Sequence, residues 1–300
     1  MYSRLLCAKS VCVKTHAERK RKMVKKCSYS IGNFDFSYAM DKQPPESLDN
    51  KHCHDTYEIL YVLEGTGRFM VEGTSFDVEP GTLILIKQFE YHSMHIDPNS
   101  RYERYVIHFS DEHLTGEGLS LFKSILSGVE GSGRMYSSAA LSAKVLPALE
   151  RFDTADGLPE NEKLMYVKTL LAELMIFLSI STGEKIEINE GELGARVIRY
   201  LNENITRDLS LDRIARRFFV SKYYLCRAFK KHNGVSVHVY INHKRVMYAK
   251  QLIEQGETAS GAAYKVGFGD YSAFYRAYVK VIGKSPTAHN DMKGEGSNGI

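Results

Sequence analysis

The sequence lacks the features of a disulfide-stabilised or membrane-embedded protein. It has five cysteines among 300 residues, an odd number, and no CxxC pair. No secretory signal is recognisable, so a cytoplasmic chain with reduced thiols is the simplest interpretation. The longest apolar-rich run, 164–180, is interrupted by Lys168 and Glu173 and is shorter than the about 20 apolar residues that span a bilayer. We therefore expect no membrane partner.

Charge is distributed unevenly along the chain. Residues 193–300 hold eighteen Lys or Arg against eight Asp or Glu, whereas residues 27–192 hold thirteen against twenty-seven. A basic C-terminal segment indicates a polyanionic partner, and the acidic middle, which would repel nucleic acid, indicates a different task. The length predicts more than one domain. Residues 1–26, basic and without a hydrophobic period, are predicted to be a disordered extension. The alternatives are an accessory DNA-binding arm and a translation start at Met23.

Short strands are predicted between residues 57 and 110. Gly65, Gly73 and Pro80-Gly81 separate runs that are rich in β-branched and aromatic residues. The runs are 57–63, 67–72, 82–86 and 105–109. Regular short strands with tight turns favour a small barrel or jelly roll, which we assign to residues 27–125.

Two helices are predicted after the strands, within a region that we assign to residues 126–192. Apolar residues recur at helical spacing over 141–152 and again over 162–182. The second helix is apolar around more than half of its surface, and we predict that it and the helix over 141–152 support a homodimer interface. Burial of that surface against the helix's own barrel is the alternative. A polar link over 183–191 marks the domain boundary.

The basic part contains a helix-turn-helix pattern. Ser210 is a typical cap for a first helix, and Ser221 for a second helix over residues 222–231. Leu225 and Phe229, four residues apart, face inward in that helix. The positions predicted to face outward are Lys222, Tyr223, Cys226, Arg227 and Lys230. A short turn followed by a helix with outward basic and tyrosine side chains is typical of a major-groove reader.

The pattern recurs about 49 residues later. Phe274 repeats the inward-facing aromatic position, and Arg276 repeats the outward-facing basic position. Asp270 or Ser272 can cap that helix. One continuous helix over 236–255 joins the two copies, and its about 28 Å approaches the ~34 Å between successive major-groove faces. A monomer that reads two adjacent segments predicts an asymmetric recognition site.

Five spaced motifs resemble the DNA-binding domain of AraC/XylS-type bacterial transcription regulators. They are Leu211-x2-Ile214-Ala215, Ser221-x3-Leu225-x-Arg227-x-Phe229-Lys230-Lys231, Gly234-x-Ser236, Arg245-x3-Ala249 and Gly267-Phe268-x-Asp270-x-Ser272-x-Phe274-x-Arg276. The resemblance covers about residues 193–292 and leaves 293–300 as a flexible tail. The DNA-binding positions, from the resemblance and from the outward faces, are Ser221, Lys222, Tyr223, Cys226, Arg227, Lys230, Tyr271, Ser272, Tyr275 and Arg276.

Arg227 and Arg276 are the strongest of these candidates, because a guanidinium fork suits a guanine edge or a phosphate. The alternative for each is an arginine on a solvated helix face. The second copy departs from the family, with alanine where isoleucine is usual and with Gly261 inside its first helix. We therefore expect the second reader to contribute less affinity than the first.

The acidic part carries its own constellation, His52-x-His54-x3-Glu58-x6-Gly65, followed by Pro80-Gly81 and His92. Strand alternation places His52, His54 and Glu58 on one face, which we interpret as the barrel interior. The spacing is similar to the metal-binding motif of cupins and to the effector domain of the same regulators. These residues could therefore bind a divalent metal, bind a small effector, or form a structural polar cluster whose members hydrogen-bond one another.

Attachment to a DNA-binding domain favours the effector over the metal, and we predict no cofactor. The effector-binding candidates are His52, His54, Glu58, Arg68 and His92, with Tyr57, Tyr91 and Tyr105 as further pocket residues. His95 is a rival of His92, and a surface charge is the alternative for Arg68. The low-ranked metal candidates are His52, His54, Glu58 and His92.

Together these features predict an α+β protein, with an N-terminal cupin-like β-barrel and helical pair ahead of a C-terminal all-α domain with two helix-turn-helix motifs. The resemblance implies a ligand-responsive transcription regulator, an activator of genes for carbohydrate or small-metabolite use. Its expected partners are double-stranded DNA, a small effector such as a sugar, a second copy of the chain and RNA polymerase. The alternative is a metal-dependent cupin enzyme fused to a DNA-binding module; we assign no catalytic residue.

Overall fold

The computed structural model describes residues 23–42, 44, 51–126, 134–137, 139–181, 184–185 and 192–287. This part of the chain forms two compact units. The first unit comprises the described residues up to 204 together with 209–240, and the second comprises 205–208 and 241–287. The predicted fold class is confirmed, since a β-sheet domain precedes an all-helical region with two helix-turn-helix motifs.

The first unit is built on two antiparallel sheets. The larger sheet has the order β1-β2-β8-β3-β6-β9-β10 and the smaller one the order β5-β4-β7. The strands are β1 (Met23–Ile31), β2 (Phe34–Asp41), β3 (Tyr57–Glu64), β4 (Gly67–Val71), β5 (Thr74–Val78), β6 (Leu83–Ile86), β7 (His92–Ile96), β8 (Tyr102–Phe109), β9 (Arg134–Tyr136) and β10 (Glu184–Lys185).

Strand alternation separates two cores. In β3, Leu60 and Val62 pack between the two sheets, with Phe69 of β4 and Met94 of β7. Their neighbours Ile59 and Tyr61 point to the opposite face of the larger sheet, where helices cover them. Both faces of β3 are therefore buried, which explains why its sequence reads as a nearly continuous apolar run.

Three helices cover the outer face of the larger sheet: α1 (Gly116–Leu126), α2 (Ala139–Phe152) and α3 (Glu160–Ser179). Leu171, Leu174 and Leu178 of α3 are buried in one core with residues of β1, β2 and β8. This face of α3 thus packs against its own sheet, as the alternative interpretation expected. Three large apolar side chains on α3 and its C-cap remain exposed, namely Met165, Ile176 and Ile180.

Several elements differ from the prediction. β1 begins at Met23, so the predicted disordered extension is wrong from this residue onward; residues 1–22 and the predicted tail 293–300 lie outside the described residues. β9 and β10 join the larger sheet, so the region 126–192 is not purely helical. The strands that were missed, β1, β2, β5 and β7, alternate polar and apolar residues and lack long branched runs.

The C-terminal region is helical. Its helices are α4 (Leu193–Glu203), α5 (Leu211–Arg217), α6 (Lys222–Asn233), α7 (Val237–Glu254), α8 (Ala259–Lys265) and α9 (Tyr271–Ile282). The caps Ser210, Ser221 and Asp270 each accept a backbone N–H three residues ahead, as predicted for the first two, and Asp270 rather than Ser272 is the second reader's cap. None of the helices among the described residues combines the length and apolar character of a membrane span.

Candidate nucleic-acid interface and effector site

The first reader helix, α6, has one buried face and one solvent face. Leu225 and Phe229 are fully buried, which orients the helix within its unit. Tyr223 is 76% exposed, and the side chains of Arg227 and Lys230 are also exposed. Among the other candidates, Ser221 is the N-cap, Cys226 is half-buried, and the Lys222 Nζ lies 3.1 Å from Asp212 Oδ1. The solvent face of α6 thus carries positive charge and one extended aromatic side chain.

The second reader helix, α9, repeats this arrangement. Phe274 and Tyr278 are fully buried, in a core that also contains the alanines of α8. Tyr275 is 42% exposed, and Ser272 and Arg276 are exposed as well. Tyr271 is half-buried, with its ring centroid 5.7 Å from that of Phe274. Both predicted reader helices therefore present an arginine and a tyrosine to solvent.

Each reader is preceded by a turn with the same hydrogen bonds. Val220 N donates to Ala215 O in the first turn, and Phe268 N donates to Ala263 O in the second. The preceding residue has a positive φ in both cases, 57° at Phe219 and 93° at Gly267. Glycine adopts this conformation readily, whereas phenylalanine does so at a cost, and the Phe219 side chain is 93% exposed.

Arg245 of α7 holds the second unit together from within. Its guanidinium donates to Ile205 O at 2.8 Å, to Gly267 O at 2.7 Å and to Arg207 O at 2.5 Å. Burial lowers the pKa of this side chain, but the three carbonyl acceptors satisfy its donors. The sequence singled out Arg245 only as part of a family motif, without this role.

The barrel candidates converge on Glu58 of β3. Its Oε2 lies 2.8 Å from His54 Nε2, 3.4 Å from His92 Nε2 and 3.3 Å from His108 Nε2. Glu58 and His92 are buried, while His54 and His108 are partly exposed. The cluster lies at the border of the core between the sheets, since the His92 ring stacks 5.9 Å from Phe69.

Two of these imidazoles have a defined tautomer. His54 Nδ1 lies 2.8 Å from Thr56 O, and His92 Nδ1 lies 2.8 Å from Glu90 O. A carbonyl oxygen can only accept, so the ring proton of each histidine is on Nδ1. In the neutral rings, Nε2 therefore presents a lone pair to Glu58.

The electrostatics of the cluster favour an ionised Glu58. Burial alone would raise the pKa of Glu58, but the hydrogen bond from His108 and the positive charge of that ring hold the pKa of Glu58 well below its usual range. Burial lowers the pKa of His54, which favours its neutral form. Burial acts in the same direction on His108, yet the hydrogen bond to Glu58 outweighs it and raises the pKa of His108.

The other barrel candidates separate from this cluster or lie at its edge. His52 is exposed, with its ring 4.5 Å from that of His92. Arg68 points away, because it lies on the face of β4 opposite to Phe69, and its Nε is 3.4 Å from Asp77 Oδ1. Arg68 therefore does not join the histidine cluster, and its role as an effector ligand stays a prediction beside the surface-charge alternative.

The predicted pocket residues are also spread over several places. His95 lies with Arg68 along a groove of about 520 Å³ on the smaller sheet, so it does not compete with His92. Tyr105 stacks on Tyr38 at 4.5 Å, and Tyr57 packs on Phe122, both on the helix-covered side of the larger sheet. Neither tyrosine joins the histidine cluster.

His108 is a member of the cluster that the sequence did not single out. It pairs with Glu58 in the register of β8 and β3. The signal was present in the alternation of β8, because His108 is two residues beyond Val106, which packs in the core between the sheets. Imidazole nitrogens and a carboxylate oxygen form a donor set that zinc and related divalent cations accept, so these residues fit a metal.

The tight turn between β4 and β5 contacts the C-terminal helices of the same unit. Glu72 and Gly73 have φ values of 47° and 83°, as a two-residue hairpin turn with positive φ requires. The buried Glu72 carboxylate accepts hydrogen bonds from Tyr91 N at 2.9 Å and from the Tyr240 hydroxyl at 2.5 Å. The Tyr240 hydroxyl is also 2.8 Å from Asn202 Oδ1.

His232 at the end of α6 fits against two glycines. A Cβ atom at Gly73 would lie 2.4 Å from His232 Cδ2, and one at Gly194 would lie 2.3 Å from His232 Cβ. Its Nδ1 is 2.9 Å from Glu192 Oε2. Only glycine permits so close an approach, so the end of the first reader helix is seated on the β4–β5 turn.

Comparisons with known proteins agree with this architecture. The family description "AraC-like ligand binding domain" matches residues 37–140, and "Helix-turn-helix domain" matches residues 214–291. The chain is 24% identical over 251 residues to the HTH-type transcriptional activator RhaS of Enterobacter sp. (strain 638), covering 83% of this chain and 90% of that one. Over 256 residues it is 23% identical to RhaS of Escherichia coli O139:H28 (strain E24377A / ETEC), with the same coverage.

Among solved structures, ToxT from Vibrio cholerae O395 is 16% identical, with a TM-score of 0.38 over 88% of this chain and 99% of that one. The RhaS relatives are named as transcriptional activators, which is consistent with a non-enzymatic role. The family of the chain follows from its two domains and from the family descriptions that match them. The chain belongs to the AraC family of ligand-responsive, DNA-binding transcription regulators.

Proposed function

We propose that this chain activates transcription of genes for carbohydrate or small-metabolite use, by binding an asymmetric operator through α6 and α9. The observation that carries the DNA-binding part is the shared design of the two helices, each with an exposed arginine and tyrosine above a buried aromatic core. The RhaS relatives, named as transcriptional activators, support the sign of regulation. RNA polymerase is then the protein partner of the bound regulator.

We assign the DNA contacts to the solvent faces described above. Arg227 and Arg276 present guanidinium forks that match guanine O6 and N7 or a phosphate. Tyr223 and Tyr275 extend from the same faces and reach bases or sugars, and Lys230 adds phosphate affinity. The remaining proposed contacts are Ser221, Lys222, Cys226, Tyr271 and Ser272.

The proposed effector site is the cluster of His54, Glu58 and His92, with His52 at its exposed edge. It is a polar cluster that borders the apolar core between the two sheets. The buried neighbour of His92, Tyr91, donates its backbone N–H to Glu72, and Glu72 accepts from Tyr240. This chain of contacts links the cluster to the helices that carry the first reader, and a ligand that shifts it changes how α6 is presented.

The proposed dimer surface is the outer face of α3. Met165 is 68% exposed, Ile176 is 53% exposed and Ile180 is 65% exposed. Their spacing of eleven and four residues places them on one side of the helix. Burial of this stripe in a second copy would remove apolar side chains from water, which favours a homodimer.

Selection of duplexes from a random library by the full-length protein tests the proposed function. We expect a selected site with a salt-dependent affinity, because lysine and arginine contacts release counterions from the phosphates. Arg227→Ala should weaken binding to that site more than Arg276→Ala, since the first reader is the closer match to its family. Arg217→Ala, at an exposed position on α5, is the matched control.

Failure to enrich any sequence would overturn the proposal. A larger loss for Arg276→Ala than for Arg227→Ala would reverse only the ranking of the readers. A thermal-shift screen of sugars and metabolites then addresses the effector, because a ligand of the folded state raises its melting temperature.

A further inference from the structure

We propose that His54, Glu58, His92 and His108 bind one divalent transition metal ion such as Zn²⁺, with His52 outside the ligand set. The inference rests on the proposed role of the barrel as the effector domain and specifies the chemistry of what that domain takes. It also departs from the spacing motif, because His108 comes from β8, far from the motif in sequence.

The first argument is the spacing of the donor atoms. One carboxylate oxygen, Glu58 Oε2, has three imidazole nitrogens at 2.8, 3.4 and 3.3 Å. Ligand atoms bound to a tetrahedral ion at about 2.0–2.1 Å lie about 3.3 Å from one another. The donor atoms of His54, Glu58 and His108 all lie within 4.8 Å of one another. Three of the ligands, His54, Glu58 and His108, thus already have the spacing of a metal site, and His92, whose Nε2 is 3.4 Å from Glu58 Oε2, must approach His108 to complete it.

The second argument is the direction of the lone pairs. The carbonyls of Thr56 and Glu90 take the Nδ1 protons of His54 and His92, so both Nε2 atoms offer lone pairs toward an oxygen that also offers only lone pairs. His92 is 3% exposed, and its Nε2 has no hydrogen-bond donor directed at it. A shared cation satisfies all of these atoms at once.

The carbonyls themselves are the third argument. Histidines that bind a metal usually donate their other ring N–H to a carbonyl or carboxylate, which fixes the ring and its tautomer. Thr56 O and Glu90 O hold two of the proposed ligands in this way, each at 2.8 Å. The rings are therefore oriented by the backbone, independently of Glu58.

His52 offers a second grouping, with His54 and His92, whose donor atoms also lie within 4.8 Å of one another. That grouping contains no anionic ligand, whereas the set with Glu58 supplies a negative charge to a dication. His52 is also exposed, whereas His108 is paired with Glu58 across the sheet. We therefore assign His108, and not His52, to the metal.

The experiment uses full-length protein that has been stripped with a chelator and then titrated with Zn²⁺ or Co²⁺. We expect about one ion per chain and, for Co²⁺, the visible absorption of a tetrahedral site. His108→Gln and Glu58→Gln should each weaken binding about tenfold or more. His52→Gln should weaken binding less than His108→Gln does, and His95→Gln, the matched control on the outer face of β7, should bind as the unaltered protein does.

Circular dichroism of each metal-free variant confirms that it is folded, and the selected operator duplex reports DNA binding separately. Absence of a stoichiometric metal in the folded, unaltered protein would overturn the proposal. Loss of metal in His52→Gln but not in His108→Gln would overturn the ligand set. Operator binding that persists in either case leaves the proposed regulatory function standing, whereas metal binding without any selected operator would contradict that function alone.

Discussion

Arg245 is a buried charge whose guanidinium donates hydrogen bonds to three backbone carbonyls. These belong to Ile205, Arg207 and Gly267, which lie in two separate loops of the second unit. A planar fork with five donors suits three acceptors in different directions, whereas an ammonium group on a flexible stem does not. The family motif marked this position, but only the folded structure brings the three carbonyl oxygens to its guanidinium.

We predict that Arg245→Lys destabilises the protein by about 2–3 kcal/mol, because hydrogen bonds from a charged donor to buried acceptors are lost. Urea unfolding of the full-length protein measures this loss. Arg217→Lys, at an exposed position on α5, should change the free energy of unfolding by less than about 0.5 kcal/mol. Equal stability of Arg245→Lys and the unaltered protein would show that the carbonyls do not depend on the guanidinium.

The histidine cluster shows what residue patterns do and do not reveal. Alternation placed His54 and Glu58 on one face, because it fixes which side chains of a strand share a face, and the similarity to the cupin motif added His92. The sequence also suggested Arg68, whose neighbour Phe69 takes the inward position. His108 was missed because pairing between β8 and β3 is set by the sheet register, which one strand's sequence does not contain.

At the level of elements, strands with branched apolar runs were predictable and the polar ones were not. β3 and β6 are buried on both faces, so their sequences are nearly continuous apolar runs that predict a strand. β5 and β7 belong to the smaller sheet and mix serine, aspartate and histidine with apolar residues, so neither has a strong strand signal. The helices of the twin readers were predictable because their caps and apolar spacing agree.

The backbone of the turn before the first reader is strained at Phe219. Phe219 has a φ of 57° where the second turn has Gly267 at 93°, and its ring is 93% exposed. We predict that Phe219→Gly stabilises the protein by about 1 kcal/mol, because glycine adopts positive φ without a steric penalty and almost no packing is lost. Thermal unfolding with Phe219→Ala as the control separates backbone strain from side-chain loss.

Phe219→Ala keeps a Cβ atom and should therefore recover little of this stabilisation. If Phe219→Gly melted at a lower temperature than Phe219→Ala, the strain would be absent and the flexibility of glycine would dominate.

At the scale of the whole molecule, the barrel and the first reader meet within one unit through a small set of buried polar contacts. Glu72 accepts from Tyr91 N and from the Tyr240 hydroxyl, and His232 fits against Gly73. Tyr91 directly precedes His92 of the histidine cluster in sequence. His92 of the cluster is therefore joined to the helices that carry the first reader by one peptide bond, to Tyr91, and by two hydrogen bonds to Glu72.

We predict that Tyr240→Phe lowers the free energy of unfolding by about 1–3 kcal/mol, because it leaves a buried carboxylate oxygen without its donor. Tyr264→Phe, at a tyrosine that is 60% exposed, is the matched control and should be near neutral. A double-mutant cycle with Glu72→Ala measures the contact itself, and we expect a coupling of about 0.5–3 kcal/mol. Strict additivity would show that the two residues act independently.

The central claim is that one chain reads DNA with two unequal helices, α6 and α9. Guanine N7 methylation protection on the selected duplex tests this most directly, with the unaltered protein, Arg227→Ala and Arg276→Ala compared on one site. We expect two protected segments about one helical turn apart, with each substitution removing protection from a different segment. A single protected segment, or the loss of the same segment in both variants, would contradict it.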